Sequence, residues 1–419
     1  MGGRPLPWKP NRWRHGRTNI YFRCCLARVR EVDQERNRIT TVSLCNDSFI
    51  SEGEAAFYDG REYANGRLID VQKGKITLPE IGGQAEAIAA AWTRLQGQKD
   101  WVSAYIGNES FDEIIFIGSG SSYYQAMIMA VSTRLWLGRR SVALPSSDIL
   151  LLRKQSVAGA GRILLVGVSR SGESSEVIMA LESVKELEGW TTCGITCYPS
   201  SRLGTMTKCL VSPLGQEAST VMTKSFSSMT FMMQAAIALV AGAGYLGQME
   251  TVKELAADIV QRSGTFAAKL AEENRFDKFI YLGMGAYYGV TQEACLKLKE
   301  MAYVWTESYG TLEFRHGPKS IVEPGTLVCL LVSEQTRAYE LKVAEEMKGY
   351  GASILLLTAA KGGDTAFADE VFEIGAALLS DEARAVLYLP LLQYIGFYFA
   401  LKCGVDPDHP RNLTQVVTI

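Results

Sequence analysis

From residue 78 onward, short apolar runs alternate with longer amphipathic stretches. The clearest run, 163–168, contains no polar side chain and predicts a buried parallel strand. A polar turn follows at 169–175, after which apolar residues recur at helical spacing in Val177, Ala180, Leu181, Val184 and Leu187. This alternation predicts an α/β fold in which helices cover both faces of a parallel sheet. Ligands of such folds bind at turns like 169–175, beyond the carboxyl ends of the strands.

The pattern occurs twice along the chain. The stretch 111–120 recurs as 276–285, both copies end in Gly-x-Gly, and a pair of tyrosines follows each copy. Further on, residues 168–171 align with residues 332–335 at nearly the same offset. The repeat predicts two consecutive copies of one domain. We therefore divide the chain into an extension at 1–77, a first domain at 78–255 and a second domain at 256–419.

The extension differs in composition from the rest of the chain. It begins with a series of arginines and lysines, between which Trp8 and Trp13 lie. Such a segment is compatible with an arm that contacts RNA or a membrane, but its composition favours a poorly ordered extension. Short strands are predicted at 40–44 and 67–71, and no fold is assigned to residues 1–77 as a whole.

Charge and cysteine usage restrict the class of protein. The formal net charge of the 419 residues is −2, which gives no electrostatic argument for nucleic acid binding. The nine cysteines are an odd number and form no CxxC pair, which favours reduced thiols and a cytoplasmic location. Only three histidines occur, so no metal site is predicted. Two apolar stretches, 229–246 and 386–401, are predicted to be buried core helices rather than membrane spans.

The turn at 169–175 has the groups that a phosphate needs. Ser169, Ser171 and Ser174 supply hydroxyls, Arg170 supplies a guanidinium, and the following helix supplies free amides. A helix N-cap with Arg170 in solvent is the simpler alternative. A dinucleotide is disfavoured, because the third glycine of the Gly-x-Gly motif is absent and no acidic residue follows the second strand. A phosphorylated sugar fits these residues better than NAD.

The second copy differs from the first in its candidate ligand-binding and catalytic residues. Glu334 stands where the first copy has Arg170, which predicts that anion binding has been lost there. Its distinctive residues are Glu293, Lys297 and Glu300, which share one helical face, and His316 in a loop that also contains Glu, Arg, Pro and Lys. A solvated salt-bridged stripe and an incidental loop histidine are the alternatives.

The motifs resemble those of tandem sugar-isomerase (SIS) domain proteins over residue 78 to the C-terminus. They are similar to the isomerase half of glucosamine-6-phosphate synthase and to the group of tagatose-6-phosphate ketose/aldose isomerases and amino-sugar-phosphate deaminases. The matching segments are Gly-Ser-Gly-Ser-Ser at 118–122, Ser-Arg-Ser-Gly-Glu-Ser at 169–174, Met-Thr-Lys-Ser-Phe at 222–226, Leu-Lys-Leu-Lys-Glu at 296–300, Phe-Arg-His-Gly-Pro-Lys-Ser at 314–320 and Pro-Arg-Asn-Leu at 410–413.

The resemblance implies two flavodoxin-like three-layer domains and a set of site residues. Ser169, Arg170, Ser171 and Ser174 would hold the sugar phosphate, and Ser121, Ser122, Val221 and Thr223 would lie at the sugar hydroxyls. Glu300 would be the base that moves a proton between C1 and C2, and Lys297 an active-site lysine. His316 would assist ring opening from the partner subunit of a homodimer. This chemistry requires no cofactor, and neither nucleic acid nor a membrane is expected as a partner.

One departure from the family narrows the expected reaction. The synthase has a lysine near its C-terminus that forms an imine with the ketose, whereas Gln415 stands at that position here and cannot form one. No glutaminase domain is expected in residues 1–77. We therefore expect an isomerase that deaminates an amino-sugar 6-phosphate. A fructosamine-6-phosphate deglycase and a non-catalytic sugar-phosphate sensor remain the alternatives.

Overall fold

The computed structural model describes residues 29–33, 38–42, 57–58, 61–64, 67–70, 73–159 and 161–417. The chain divides into two units, residues 1–56 and residues 57–419. In the first unit, β1 (Val29–Asp33) pairs antiparallel with β2 (Arg38–Val42). The second unit begins with the antiparallel strands β3 (Phe57–Tyr58), β4 (Arg61–Ala64) and β5 (Arg67–Asp70). The two predicted short strands thus coincide in large part with β2 and β5, and much of the predicted disorder falls outside the described residues.

The first repeat follows three short helices, α1 (Thr77–Gly82), α2 (Gln84–Leu95) and α3 (Lys99–Ala104). Its sheet has five parallel strands in the order β10-β9-β8-β6-β7. The elements are β6 (Glu113–Gly118), α4 (Ser121–Leu137), β7 (Ser141–Pro145), α5 (Ser146–Ser156), β8 (Ile163–Val168), α6 (Ser175–Glu182), β9 (Trp190–Thr196), α7 (Arg202–Met206), β10 (Cys209–Val211) and α8 (Lys224–Ala241).

The second repeat builds the same sheet, in the order β12-β11-β13-β14-β15, again with all strands parallel. Counted within each repeat, both sheets have the flavodoxin-like order 2-1-3-4-5, which confirms the predicted tandem α/β architecture. The elements are α9 (Ala243–Glu273), β11 (Lys278–Leu282), α10 (Ala286–Ala302), β12 (Thr306–Tyr309), β13 (Thr326–Leu331), α11 (Arg337–Gly349), β14 (Ser353–Thr358), β15 (Glu370–Glu373) and α12 (Asp381–Lys402). The expected domain boundary after residue 255 falls inside α9, a single helix that connects the repeats.

The equivalent helices α4 and α10 pack directly against each other. Each begins after a glycine in nearly the same backbone conformation, with φ +56° at Gly120 and φ +57° at Gly285. Their close approach depends on Gly289, since a Cβ there would lie 2.8 Å from the carbonyl oxygen of Tyr124. The first turns of α4 and α10 therefore meet between the two repeats.

Residues 229–238 of the first apolar stretch and nearly all of the second, 386–401, are buried, whereas 239–246 are partly exposed, so the prediction of a buried helix over 229–246 is wrong at its C-terminal end. The first is α8 and the start of α9, which are separated at Gly242 by a φ of +116°. The second belongs to α12. Among the described residues, α12 alone has the length and apolar composition of a membrane span, and 83% of its most apolar window is buried inside the protein. That burial is typical of a core helix.

Candidate active site

The turn after β8 gathers the three predicted serines. The Ser169 hydroxyl accepts a hydrogen bond from the amide of Gly172 at 3.1 Å and lies 3.1 Å from the Ser174 hydroxyl. The Ser171 hydroxyl accepts from the amide of Glu173 at 3.1 Å. Gly172 has a φ of +68°, which favours glycine and closes the turn. The α6 helix begins at Ser175, whose amide donates to the Val417 carbonyl of the C-terminal tail at 3.4 Å, and the other amides of its first turn lie next to the serines.

Arg170 is buried and turned toward the protein. One of its terminal nitrogens lies 3.3 Å from a Glu217 carboxylate oxygen and also donates to the carbonyls of Ser219 and Val221. The other donates to the carbonyls of Thr220 and Gln415 at 3.2 and 3.4 Å. In this arrangement the guanidinium positions the loop 217–223 and the C-terminal tail. Direct contact between Arg170 and a phosphate stays a prediction.

Glu217 organises the loop on which Val221 and Thr223 lie. Its fully buried carboxylate accepts from the amide and hydroxyl of Thr223 at 2.8 and 2.6 Å. It also accepts from the amide and hydroxyl of Ser225 at 3.0 and 2.6 Å. The Thr223 hydroxyl therefore donates its hydrogen bond to the buried Glu217 carboxylate. Sequence reasoning missed Glu217, because a single acid in a short polar segment has no periodicity or partner that would mark it.

Ser121 and Ser122 begin α4 and are both buried. The Ser122 hydroxyl lies 4.0 Å from the Met222 sulfur, which brings the start of α4 next to the loop 217–223. Ser121 lies beside Glu293 of α10. The predicted sugar-contacting residues therefore meet where the two repeats touch.

The acidic and basic residues of α10 form a buried cluster rather than a solvated stripe. The Lys297 ammonium is 3.3 Å from a Glu293 carboxylate oxygen and is paired with Glu300 as well. The side chains of Lys297 and Glu293 are each 1% exposed, whereas that of Glu300 is 16% exposed. Glu300 is thus the carboxylate of the cluster that solvent or a ligand can reach.

Burial changes the pKa values of the residues in this cluster. It raises the pKa of Glu293 to about 7, although Lys297 and the Ser121 hydroxyl oppose the shift. Burial alone would lower the pKa of Lys297, but the two carboxylates outweigh it and raise that pKa. Burial, followed by the Glu293 charge, raises the pKa of Tyr124 to about 12. Tyr124 of α4 is a second neighbour of the cluster that sequence reasoning missed.

His316 is exposed and lies in the loop between β12 and β13. Its imidazole makes no hydrogen bond or ion pair with any residue that the structure describes, Glu300 and Lys297 included. One chain therefore brings Lys297 and Glu300 together and does not add His316 to them. The contribution of His316 from a partner subunit stays a prediction.

The C-terminal tail runs between two cavities. One, of about 310 Å³, is lined by the turn at Arg170 and Ser171 and by Gln415. The other, of about 450 Å³, is lined by Glu300, Lys299 and Arg411 among others. The Gln415 side chain donates to the carbonyls of Ala218 and Ser219 at 2.7 and 3.1 Å. The Arg411 guanidinium lies 4.2 Å from the centre of the Tyr303 ring.

The corresponding turn of the second repeat is occupied by the chain's own carboxylates. The Ser333 hydroxyl donates to Asp381, the amide of Glu334 donates to Asp381 at 3.3 Å, and the amide of Ser333 donates to Glu340 at 2.7 Å. Glu334 itself pairs with Arg337 at 3.0 Å. These contacts agree with the expected loss of anion binding in the second copy.

A protein-family model matches the chain in both repeats. The SIS domain model matches residues 110–239 and 274–377, which is more than half of the chain. The chain belongs to the SIS family of sugar-phosphate isomerases. Both matched segments coincide with the two repeats, and the first contains the serine turn while the second contains the α10 cluster.

The curated relatives are longer than this chain. It is 24% identical over 363 residues to the glutamine–fructose-6-phosphate aminotransferase of Brucella abortus, covering 83% of this chain and 58% of the relative. It is 28% identical over 358 residues to the corresponding protein of Pyrobaculum aerophilum, covering 82% of this chain and 57% of the relative. The SIS chain thus spans under three fifths of the length of these relatives.

Solved structures that match this chain over nearly their whole length share the fold. Glucosamine-6-phosphate deaminase from Thermotoga maritima is 28% identical with a TM-score of 0.63, covering 79% of this SIS protein and all of that chain. Tagatose-6-phosphate ketose/aldose isomerase from Escherichia coli is 23% identical with a TM-score of 0.72, covering 80% and 96% of the two chains. The latter likeness concerns the fold alone.

Proposed function

We propose that this SIS protein isomerises and deaminates an amino-sugar 6-phosphate, giving a ketose phosphate and ammonia. The observation that supports it most is the pairing of the partly exposed Glu300 with the buried Lys297, at the helix that meets Ser121 and Ser122. The similarity to a glucosamine-6-phosphate deaminase supports the choice of substrate class.

The reaction follows from proton transfers at two neighbouring carbons. Ser169, Ser171, Ser174 and the start of α6 bind the phosphate, which positions the sugar. Glu300 removes the proton from C2 of the open-chain aldehyde and returns it to C1. A proton of the C2 nitrogen passes to the C1 oxygen, so that the aldehyde becomes an alcohol and the C2 amine becomes an imine. Water adds to that imine, ammonia leaves and the ketose phosphate remains. Because water is the nucleophile, no lysine is needed at position 415.

Ring opening precedes this step and needs a group that exchanges protons near neutral pH. His316 of a second subunit supplies it in our proposal, so that the active form is a homodimer. The enzyme acts in the cytoplasm without a cofactor, and its partners are the sugar phosphate and its own second copy.

A deglycase is the second candidate function, and one cavity favours it. The space beside Glu300 is lined by the cations Lys299 and Arg411 and by the aromatic residues Tyr303 and Trp305. Trp305 is 78% exposed. These groups suit an amino-acid carboxylate and side chain attached to the sugar nitrogen. The same base would then release an amino acid instead of ammonia.

The test is to incubate the purified protein with glucosamine 6-phosphate, galactosamine 6-phosphate or a fructosamine 6-phosphate. Ammonia, free amino acid and product sugar phosphate are measured in the same samples. Equal amounts of ammonia and ketose phosphate are expected from one of the two amino sugars. E300Q should be inactive, whereas E254Q, an exposed carboxylate on α9, should match the wild type. Release of amino acid without ammonia would replace the proposal by the deglycase, and binding without turnover would replace it by a sensor.

A further inference from the structure

The loop that bears His316, residues 310–321, is fixed to the second repeat at several points. The Phe314 ring is fully buried in a cluster with β11, β13 and α11, and its centre is 5.4 Å from that of Tyr309. The Thr311 hydroxyl donates to Glu340 of α11 at 3.2 Å. The backbone on the N-terminal side of His316 is therefore tied to the domain core.

Glu346 of α11 holds both sides of His316. One of its carboxylate oxygens accepts from Nε of Arg315 at 2.8 Å, and the other accepts from Nζ of Lys319 at 2.6 Å. The Tyr350 hydroxyl donates to the latter oxygen at 3.0 Å. Because each oxygen binds a different cation, the carboxylate spans the turn that contains His316. Gly317 closes that turn with a φ of +123°.

The imidazole itself is left exposed by this anchoring. Arg315 and Lys319 point toward Glu346, and Phe314 is buried in the core, while the His316 imidazole makes no hydrogen bond or ion pair with any group that the structure describes. A rigid backbone with an unpartnered imidazole suits a group that acts outside its own chain, because preorganised geometry is what positions a proton donor. In the proposed function, the site that lacks this imidazole is the Glu300 cluster of a second copy.

We propose that Glu346 is a positioning residue, which holds the loop 310–321 so that His316 reaches the Glu300 site of the partner subunit. This inference rests on the proposed function. It concerns α11, which contributes no group to the reaction itself. The two-fold symmetry of a dimer would apply the arrangement to both sites.

The test uses hybrid dimers of E300Q and H316N chains with different affinity tags. If His316 acts in trans, such a hybrid has one intact site, composed of Glu300 from the H316N chain and His316 from the E300Q chain. It should therefore show about half the turnover of the wild-type dimer, whereas each homodimer should be inactive. A hybrid without turnover would contradict action in trans, and with it the role of Glu346.

E346A is then introduced into one chain of the hybrid at a time. On the E300Q chain, which supplies the working His316, it should lower kcat about tenfold with little change in KM, as expected for a displaced catalytic group. On the H316N chain it should have no effect. E345A, which changes the exposed neighbouring glutamate, should have no effect on either chain.

An equal loss of kcat from E346A on both chains would show a merely structural role and overturn the proposal. No loss of kcat on either chain would overturn it as well. The turnover of the hybrids is measured with whichever sugar phosphate the wild type converts. This test of Glu346 therefore remains valid if the wild type releases no ammonia. A wild type that converts none would overturn the proposed function and this inference together.

Discussion

At the scale of single residues, Lys297 determines the state of the α10 cluster. Its ammonium is shared between Glu293, which is buried, and Glu300, which is accessible. When Glu293 is neutral, Lys297 forms an ion pair with Glu300 alone and holds that carboxylate away from a substrate. When Glu293 is ionised, the two carboxylates share the ammonium, and Glu300 is held less firmly and is freer to reach the substrate.

This coupling predicts a pH dependence. Because burial raises the pKa of Glu293 to about 7, its carboxyl is protonated below that pH and ionised above it. Turnover should therefore rise as pH increases through about 7, and E293Q should remove that step and stay at the low-pH rate. A pH profile of kcat for both proteins measures this. A step near pH 7 that survives in E293Q would contradict the assignment.

At the scale of elements, Arg170 connects the serine turn to the loop 217–223 by a buried ion pair with Glu217, and to the tail by a hydrogen bond to the Gln415 carbonyl. Removal of Arg170 leaves the fully buried Glu217 carboxylate without its cation. R170A should therefore lower the free energy of unfolding by about 3–5 kcal/mol, measured by urea denaturation. R202A is the matched control, since its ion pair with Glu182 is half exposed and should contribute less than about 1 kcal/mol. Equal losses in the two variants would contradict the central role of Arg170.

The sequence predicts some of these elements better than others. The strand at 163–168, the serine turn and the helix after it follow from local pattern, because apolar runs and turn residues are adjacent in the chain. The hydrogen-bond partners of Arg170 do not follow from local pattern, since the guanidinium contacts residues about 50 and 245 positions away in the sequence. The burial of Glu293 and Lys297 is equally non-local: the spacing places them on one face, and α4 determines that this face is covered.

At the scale of the whole molecule, the two repeats bring Ser121 of α4 beside Glu293 of α10 because these helices pack closely. The recurrence of Gly-x-Gly predicts two similar domains. The second glycine of each motif, Gly120 or Gly285, has nearly the same φ. The packing of the repeats against each other is absent from the pattern, because either helix alone is compatible with many partners. Gly289 lies at this contact, where a Cβ would be 2.8 Å from the Tyr124 carbonyl oxygen.

G289A tests this contact. A Cβ at this position would lie 2.8 Å from the Tyr124 carbonyl oxygen and 2.9 Å from Ile128, so the helices must separate. The change should lower the free energy of unfolding by about 1–3 kcal/mol and reduce turnover, since Tyr124 borders the base cluster. G247A in α9 is the control. A Cβ there meets nothing within 4 Å, and the substitution should stabilise the protein by up to about 1 kcal/mol. Equal stabilisation by both variants would contradict close packing at Gly289.

The central claim is that Glu300 moves a proton between C1 and C2 of a sugar phosphate. The most direct measurement is the exchange of the C1 proton of fructose 6-phosphate or tagatose 6-phosphate in D₂O, followed by NMR. It detects proton abstraction whether or not the C2 substituent is later lost. We expect the wild type to incorporate deuterium at C1, and E300Q to bind the sugar phosphate while its exchange is slower by about 10²- to 10⁴-fold. Exchange at the wild-type rate in E300Q would contradict the assignment of Glu300 as the base.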